Sequence, residues 1–333
     1  MKVFIDPACN INYCSFYIKG LWEVFGRKNI IFTSKGFEEL FYTTDSHNLA
    51  FIIEERKYVI DCADSNQLFY DCFLNWADVY GKVNYNPLYI PSLYRNKIKH
   101  VGANFGIGCF GSNKWSALAK CLTNYIKSRH RLKYGFRSFL SPYLWLYKRA
   151  GTKWEAGDSR VGKNSIFMVS RYWRGQAWVN EARIAFIRAC RRLENEGLIT
   201  FQGGMVPDYE DNDCPEDVRL AQEIPLDEYM AGLRESLLVF NTPAYHHCHG
   251  WKLPEFLATG KIILSTPFVN ELPIALKHKE NVYFTNADED SIYESIKEII
   301  SSIPLQKSLE KGSREYWNKY ASPKSCIAQF IGN

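Results

Sequence analysis

No apolar run in this 333-residue chain approaches the roughly 20 residues that a bilayer-spanning helix needs, which excludes a transmembrane segment of that kind. Internal repeats, low-complexity tracts and a disordered tail are also missing, and 46% hydrophobic with 23% charged residues is the balance of an ordinary globular protein. The ten cysteines lack paired spacing, which speaks against a disulfide framework and for free thiols in a reducing compartment. No leader precedes Met1 to Asp6, which already reads as a strand, so a cytoplasmic location is expected. The most local absence is of acid. From Lys114 to Arg149 there is no Asp or Glu, while lysines and arginines alternate with Trp115, Tyr125, Tyr134, Phe136, Phe139, Tyr143, Trp145 and Tyr147. Such a segment suits an anionic membrane surface, with peripheral attachment at the inner face, or an amphipathic helix pair with a solvated basic face. A nucleic-acid partner is not expected.

The length is generous for one core and comfortable for two domains of about 150 residues each. Residues 1–150 read as an α/β unit. MKVFID is a strand, SFYIKGLWEVFG a helix stopped by Gly26, and NIIFTS a second strand. NLAFIIEE and KYVIDCA alternate like paired strands about a turn at Glu54 to Lys57, and Ala77 to Asn84 holds a later strand. Residues 151–162, GTKWEAGDSRVG, read as a linker. A second α/β unit covers 163–304, with strands SIFMVS and LITFQGG about a helix from Val179 to Leu193 whose arginines are placed on its solvated side. Residues 305–333 are helical, interrupted at Ser322-Pro323. Alternating strands and helices predict mostly parallel, doubly wound sheets.

The stretch from Val239 to Pro273, VFNTPAYHHCHGWKLPEFLATGKIILSTPFVNELP, reads as strand, polar loop, short helix, strand and turn. With Pro254 in the first turn and Gly260 as the stop, the helix is expected to begin at Leu253-Pro254, and its free N–H groups favour an anion such as a diphosphate. Glu255 beside that anion is poorly suited to phosphate but well suited to accept hydrogen bonds from the vicinal hydroxyls of a ribose.

At these residues the chain resembles the C-terminal domain of GT-B glycosyltransferases. In the retaining group with an E-x7-E signature, the second Glu precedes a short helix ending in Gly and a strand, the places held by Glu255, Gly260 and Lys261-Ile262-Ile263; eight residues before Glu255 stands His247 instead of Glu. In the inverting group with an H-C-G-W-N-S-x-L-E box, a His eight residues before the Glu approaches the diphosphate; His247-Cys248 and Glu255 match that spacing, with Gly250-Trp251 one place late. A looser similarity to exostosin-like transferases runs from Glu228-Tyr229 to Pro273. The resemblance implies a GT-B fold, two Rossmann-like domains facing across a cleft with a C-terminal helix returning to the first. It also implies transfer of a sugar from a nucleoside diphosphate sugar to a hydroxyl of a glycan or lipid-linked acceptor, with no cofactor and no metal. Arg171 and Arg174 would neutralise the departing diphosphate together with His247 and Lys252. Gly250, Trp251, Leu253 and Pro254 would form its cradle, and Glu255 and Glu271 would contact ribose or sugar. An inverting enzyme needs a general base in the first domain, for which Asp6 is the candidate. A retaining one needs none, and the sequence leaves the outcome open.

Other motifs compete. Gly106 to Gly111 is a literal GxGxxG, which would hold a dinucleotide such as NAD if a strand led into it and an acid followed about 20 residues on; residues 126–137 contain no acid. His246, His247, Cys248 and His249 are residue types that bind zinc, but consecutive residues of an extended loop point in alternating directions. Asp211-Asn212-Asp213 and Asp288-Glu289-Asp290 imitate a metal-binding D-x-D in polar stretches. A non-catalytic nucleotide- or glycan-binding protein of the same fold is the alternative from another class.

Overall fold

The computed structural model describes residues 1–68, 71–110, 113–150, 152, 154–207 and 213–332. Two compact units result: Met1–Lys153 with Asn270–Ile274 and Lys319–Asn333, and Trp154–Val269 with Ala275–Asn318.

The first unit is built on β1 (Val3–Ile5), α1 (Ile11–Phe25), β2 (Ile30–Phe32), β3 (Asn48–Ile53), β4 (Arg56–Asp61), α2 (Cys72–Trp76), β5 (Val79–Lys82), β6 (Ile98–His100), α3 (Lys114–Ser128) and α4 (Phe136–Arg149). Its sheet runs β2-β1-β3-β4-β5-β6. β1 pairs parallel with β2, and β4, β5 and β6 are parallel to one another, but β3 is antiparallel to both of its neighbours. The sheet is mostly parallel as expected, with β3 the antiparallel exception: the Glu54-Glu55 turn, both residues at positive φ (47° and 71°), folds β3 and β4 into the tight hairpin that their alternation predicts. Helix α1 starts earlier than expected because the Asn10 side chain accepts from Asn12 N–H, and it ends at Gly26, whose φ of 80° suits a residue without a Cβ.

The second unit comprises β7 (Ser165–Arg171), α5 (Ala177–Asn195), β8 (Thr200–Val206), α6 (Leu226–Glu235), β9 (Leu238–Asn241), α7 (Lys252–Ala258), β10 (Ile262–Ser265), β11 (Tyr283–Phe284), α8 (Glu289–Ser301) and α9 (Ile303–Tyr316). β7 pairs parallel with β8, and β9, β10 and β11 form a second parallel ladder. The ladders meet between β7 and β9, where Leu237 N–H donates to Ser165 O at 2.8 Å. The strand sequence is therefore β8-β7-β9-β10-β11, which reverses direction of growth between β7 and β9. Ile166, Met168, Phe240, Ile262 and Leu264 of the strands pack with Phe186 and Ile187 of α5 and Ile292 and Ile296 of α8 in one core.

The chain closes with α10 (Pro323–Gly332), which belongs to the first unit and packs on α1. Gly20 permits the approach, since a Cβ there would overlap the Pro323 carbonyl. Phe330 packs its ring edge-on against Phe51 and Tyr58, at centroid distances of 6.4 and 5.9 Å. Among the described residues, no helix is long and apolar enough to cross a membrane.

Candidate functional site

The reversal between β7 and β9 is where a parallel sheet opens a crevice at the carboxyl ends of its strands. Here the strands separate after their first contact, and side chains replace the missing ladder. Ser236 Oγ accepts from Phe167 N–H at 2.9 Å, and the Lys252 ammonium donates to Val169 O at 2.5 Å. The resulting pocket is lined by Val169, Ser170, Arg183, Asn241, Thr242 and Lys252, with Tyr229 of α6 on one wall.

Two cations dominate it. Arg183 is 5% exposed, donates through Nη1 to Arg171 O at 2.8 Å, and is pulled down to about 10 by burial. Lys252 is half-buried; besides Val169 O it reaches the Tyr229 hydroxyl at 3.5 Å and lies 5.0 Å from the centre of that ring. Burial pulls its ammonium down to about 8, Glu255 opposes the shift and Arg183 adds to it. Neither cation forms an ion pair among the described residues. Two positive groups held out of water near one another make a strong anion site, because an incoming anion recovers the solvation that burial removed.

Sequence reasoning missed Arg183. The signal was present in its register: Arg183 falls on the same face of α5 as Val179, Asn180, Phe186 and Ile187, all buried. Asn180 also acts here, its side chain accepting from Trp173 N–H at 3.0 Å and donating to Trp173 O at 2.7 Å, which fixes the turn that follows β7.

The loop after β9 supplies an aromatic wall. Trp178 stacks on His247 with ring centroids 4.1 Å apart, and Trp173 lies 6.2 Å from Tyr245. His246 and His247 both have positive φ, 51° and 61°, a backbone state that non-glycine residues rarely hold and that tends to cluster at sites of function. Among the described residues no group of histidine, cysteine and carboxylate side chains is arranged to hold a metal ion.

The expected residues divide between the units. Glu255 is 5% exposed, one helical turn beyond Lys252 on α7. Helix α7 begins at Lys252, one residue before the expected start. Leu253 and Pro254 are buried; Leu253 N–H is committed to Gly250 O at 3.2 Å and Pro254 has none, so the first turn offers fewer donors to an anion than the sequence reading assumed. The end of α7 follows expectation: Gly260 has a φ of 63°, and Gly260 and Lys261 N–H groups return to Leu257 O and Phe256 O. Gly250 and Trp251 are half-buried ahead of the helix. Arg171 is exposed and ion-paired with Glu223, and Arg174 is exposed in the turn before α5, so the buried positive charge comes from Arg183 instead.

Glu271 and Asp6 lie in the first unit. Glu271 N–H donates to Tyr85 O at 2.8 Å and its half-exposed carboxylate lies 3.7 Å from His100 Nε2. Asp6, expected as the base, is fully buried at the end of β1. Both its oxygens are gripped by Arg131, at 2.5 and 2.7 Å, and they also accept from Tyr42 OH and Ala8 N–H at 3.0 Å. That is a structural ion pair with no oxygen left for a substrate proton. Of the competing motifs, Gly106 and Gly108 lie in irregular chain, with no strand leading directly into them, and Gly111 lies outside the described residues. Asp288 caps α8 by accepting from Ser291 N–H at 2.8 Å, while Asp211 and Asn212 lie outside the described residues, as do Gly151 and Lys153 of the expected linker.

No family model and no curated protein sequence matches the chain. Solved structures do. The C-terminal domain of a group 1 family glycosyl transferase (LpcC) from Francisella tularensis aligns over 50% of this chain and 94% of its own, at 14% identity and a TM-score of 0.37. An α,α-trehalose 6-phosphate synthase from Burkholderia multivorans aligns over 78% of this chain and 58% of its own, at 11% identity and 0.46. HepE from Anabaena, solved in complex with UDP, aligns over 78% and 65%, at 12% identity and 0.35. The chain thus spans less than two thirds of the length of the last two. These likenesses are shallow, and the functional reading rests on the residues of the chain itself.

Proposed function

We propose that the chain is a glycosyltransferase of the GT-B type that moves a sugar from a nucleoside diphosphate sugar to a hydroxyl of a glycan or lipid-linked acceptor. The observation that carries the reading is the pair of cations, buried Arg183 and half-buried Lys252, at the carboxyl ends of β7 and β9 with no ion-pair partner among the described residues.

In sugar transfer the bond between the anomeric carbon and the diphosphate oxygen breaks, and negative charge grows on the departing diphosphate. Fixed cations in a water-poor pocket stabilise that charge more as it develops, which lowers the barrier. Arg183 and Lys252 fill that role, with Arg171, Arg174 and His247 nearer solvent, and the positive charge they supply is what makes a metal unnecessary in this scheme. Glu255, a turn beyond Lys252, accepts the ribose hydroxyls; the aromatic wall of Trp173, Trp178 and Tyr245 borders the donor. The acceptor class is an extension of the same reading.

The test is thermal stabilisation by a panel of nucleoside diphosphates, with and without EDTA. Stabilisation by one of them that persists in EDTA is the expected result, because a ligand that binds only the folded state must stabilise it. Silence across the panel, or a response to NAD alone, would sink the proposal.

A further inference from the structure

We infer that the outer face of α3 is a docking surface for an anionic lipid bilayer. At about 100° per residue around a helix, Ala117, Cys121, Asn124 and Ser128 share one side of α3, and all four are buried. The side directly opposite carries Trp115, Ala119, Leu122 and Ile126. Trp115 is 75% exposed, Leu122 51% and Ile126 58%. The apolar stripe therefore points away from the protein, where a helix that merely covers its own domain would carry charge.

The surroundings identify the occupant. Lys114 and Lys127 flank the stripe, and Arg129, Lys133 and Arg137 follow it, all exposed. No acid interrupts the chain from Lys114 to Arg149, so the segment that bears the stripe carries charge of one sign. A second copy bearing the same cations would be repelled from it. A bilayer with anionic headgroups complements both features: Leu122 and Ile126 enter the acyl boundary, the indole of Trp115 sits at headgroup level, and the flanking cations meet lipid phosphate. Trp115 is the one ring of the stripe on which a nucleic-acid base could stack, and Leu122 and Ile126 offer none, which disfavours single-stranded nucleic acid.

The experiment is co-sedimentation of the full chain with vesicles of phosphatidylcholine alone and of phosphatidylcholine containing phosphatidylglycerol, at low and high salt. Binding to the anionic vesicles that weakens with salt is expected, with little binding to the neutral ones. Leu122→Ser with Ile126→Ser, and separately Lys114→Glu with Lys127→Glu, should each weaken it by about tenfold or more. Nucleoside diphosphate stabilisation of both variants, compared with the parent, confirms their folding and keeps this test separate from that of the pocket. Equal binding to both vesicle types, no binding, or binding indifferent to both variants would overturn the proposal. So would concentration-dependent self-association that Leu122→Ser with Ile126→Ser abolishes, which would assign the stripe to a second copy.

Discussion

The ammonium of Lys252 donates to the carbonyl of Val169 at 2.5 Å, across the gap where β7 and β9 part. A backbone acceptor on a central strand is thereby satisfied by a side chain from α7, and the strands stay apart at the place where a further backbone bond would have closed the crevice. The group that keeps the pocket open is also one of its two cations.

Lys252 therefore makes nucleotide affinity pH-dependent. Burial holds its ammonium down at about 8, so the unliganded pocket loses that charge as pH rises through this value, whereas a bound diphosphate retains the proton. Affinity is full below about 8 and declines above it, by about tenfold per pH unit at most. The ligand's own terminal phosphate, titrating near 6, contributes little there. Calorimetric titration of UDP or of the preferred diphosphate from pH 7 to 9 should show the decline, and Lys252→Met should flatten it. A slope that survives in Lys252→Met would remove Lys252 from the anion site.

Arg183 gives a prediction of opposite signs for stability and binding. Its guanidinium is 5% exposed and pulled down by burial to about 10, which means the fold bears a cost for holding it charged. Arg183→Met removes that cost along with the bond to Arg171 O, so the unfolding midpoint should hold or rise. Diphosphate affinity should fall by about tenfold or more, the loss of hydrogen bonds to a charged group being worth about 1.5–3 kcal/mol. A lower midpoint with affinity intact would make Arg183 a purely structural residue.

Arg183 also shows why the sequence reading stopped where it did. The C-terminal ends of α1 and α7 were legible because glycines at positive φ, Gly26 and Gly260, follow them. Strands β7, β8, β9 and β10 of the second unit were legible from their apolar runs, whereas the two-residue β11 was too short to read. The hairpin of β3 and β4 was legible from their alternation about the Glu54 turn, but the antiparallel joining of β3 to β1 was not, since alternation fixes which face of a strand is buried and not its second neighbour. Arg183 was assigned to solvent by its charge, although its spacing from Val179 and Phe186 puts it on the buried arc of α5. Asp6 was read from its place at a strand end, and only the distant Arg131 reveals that its oxygens are already used.

Glu255 is tested by its effect on the nucleoside, separated from the phosphates. If it accepts both ribose hydroxyls, Glu255→Gln should weaken binding of the nucleoside diphosphate by about 2–4 kcal/mol while leaving affinity for inorganic pyrophosphate nearly unchanged. The reverse pattern, weakened pyrophosphate with intact nucleoside recognition, would assign Glu255 to tuning Lys252, its neighbour one turn away on α7.

The Asp6–Arg131 pair sets the stability of the first unit. Burial pushes the Asp6 carboxyl up and the Arg131 guanidinium opposes it, and Arg131 further ties the Phe37 and Leu40 carbonyls at 3.0 and 3.2 Å. Arg131→Met strands a fully buried carboxylate and should cost about 3–5 kcal/mol in urea unfolding. Asp6→Asn with Arg131→Met should cost less than the sum of the two single changes, because the double variant buries no lone charge. Asp6→Asn alone should lower stability as well, since the guanidinium then loses its counter-ion. An Asp6→Asn protein of undiminished stability that binds donor but cannot transfer sugar would instead return Asp6 to the role of base: a structural pair can lose turnover only through the fold, whereas a base loses it with the fold intact.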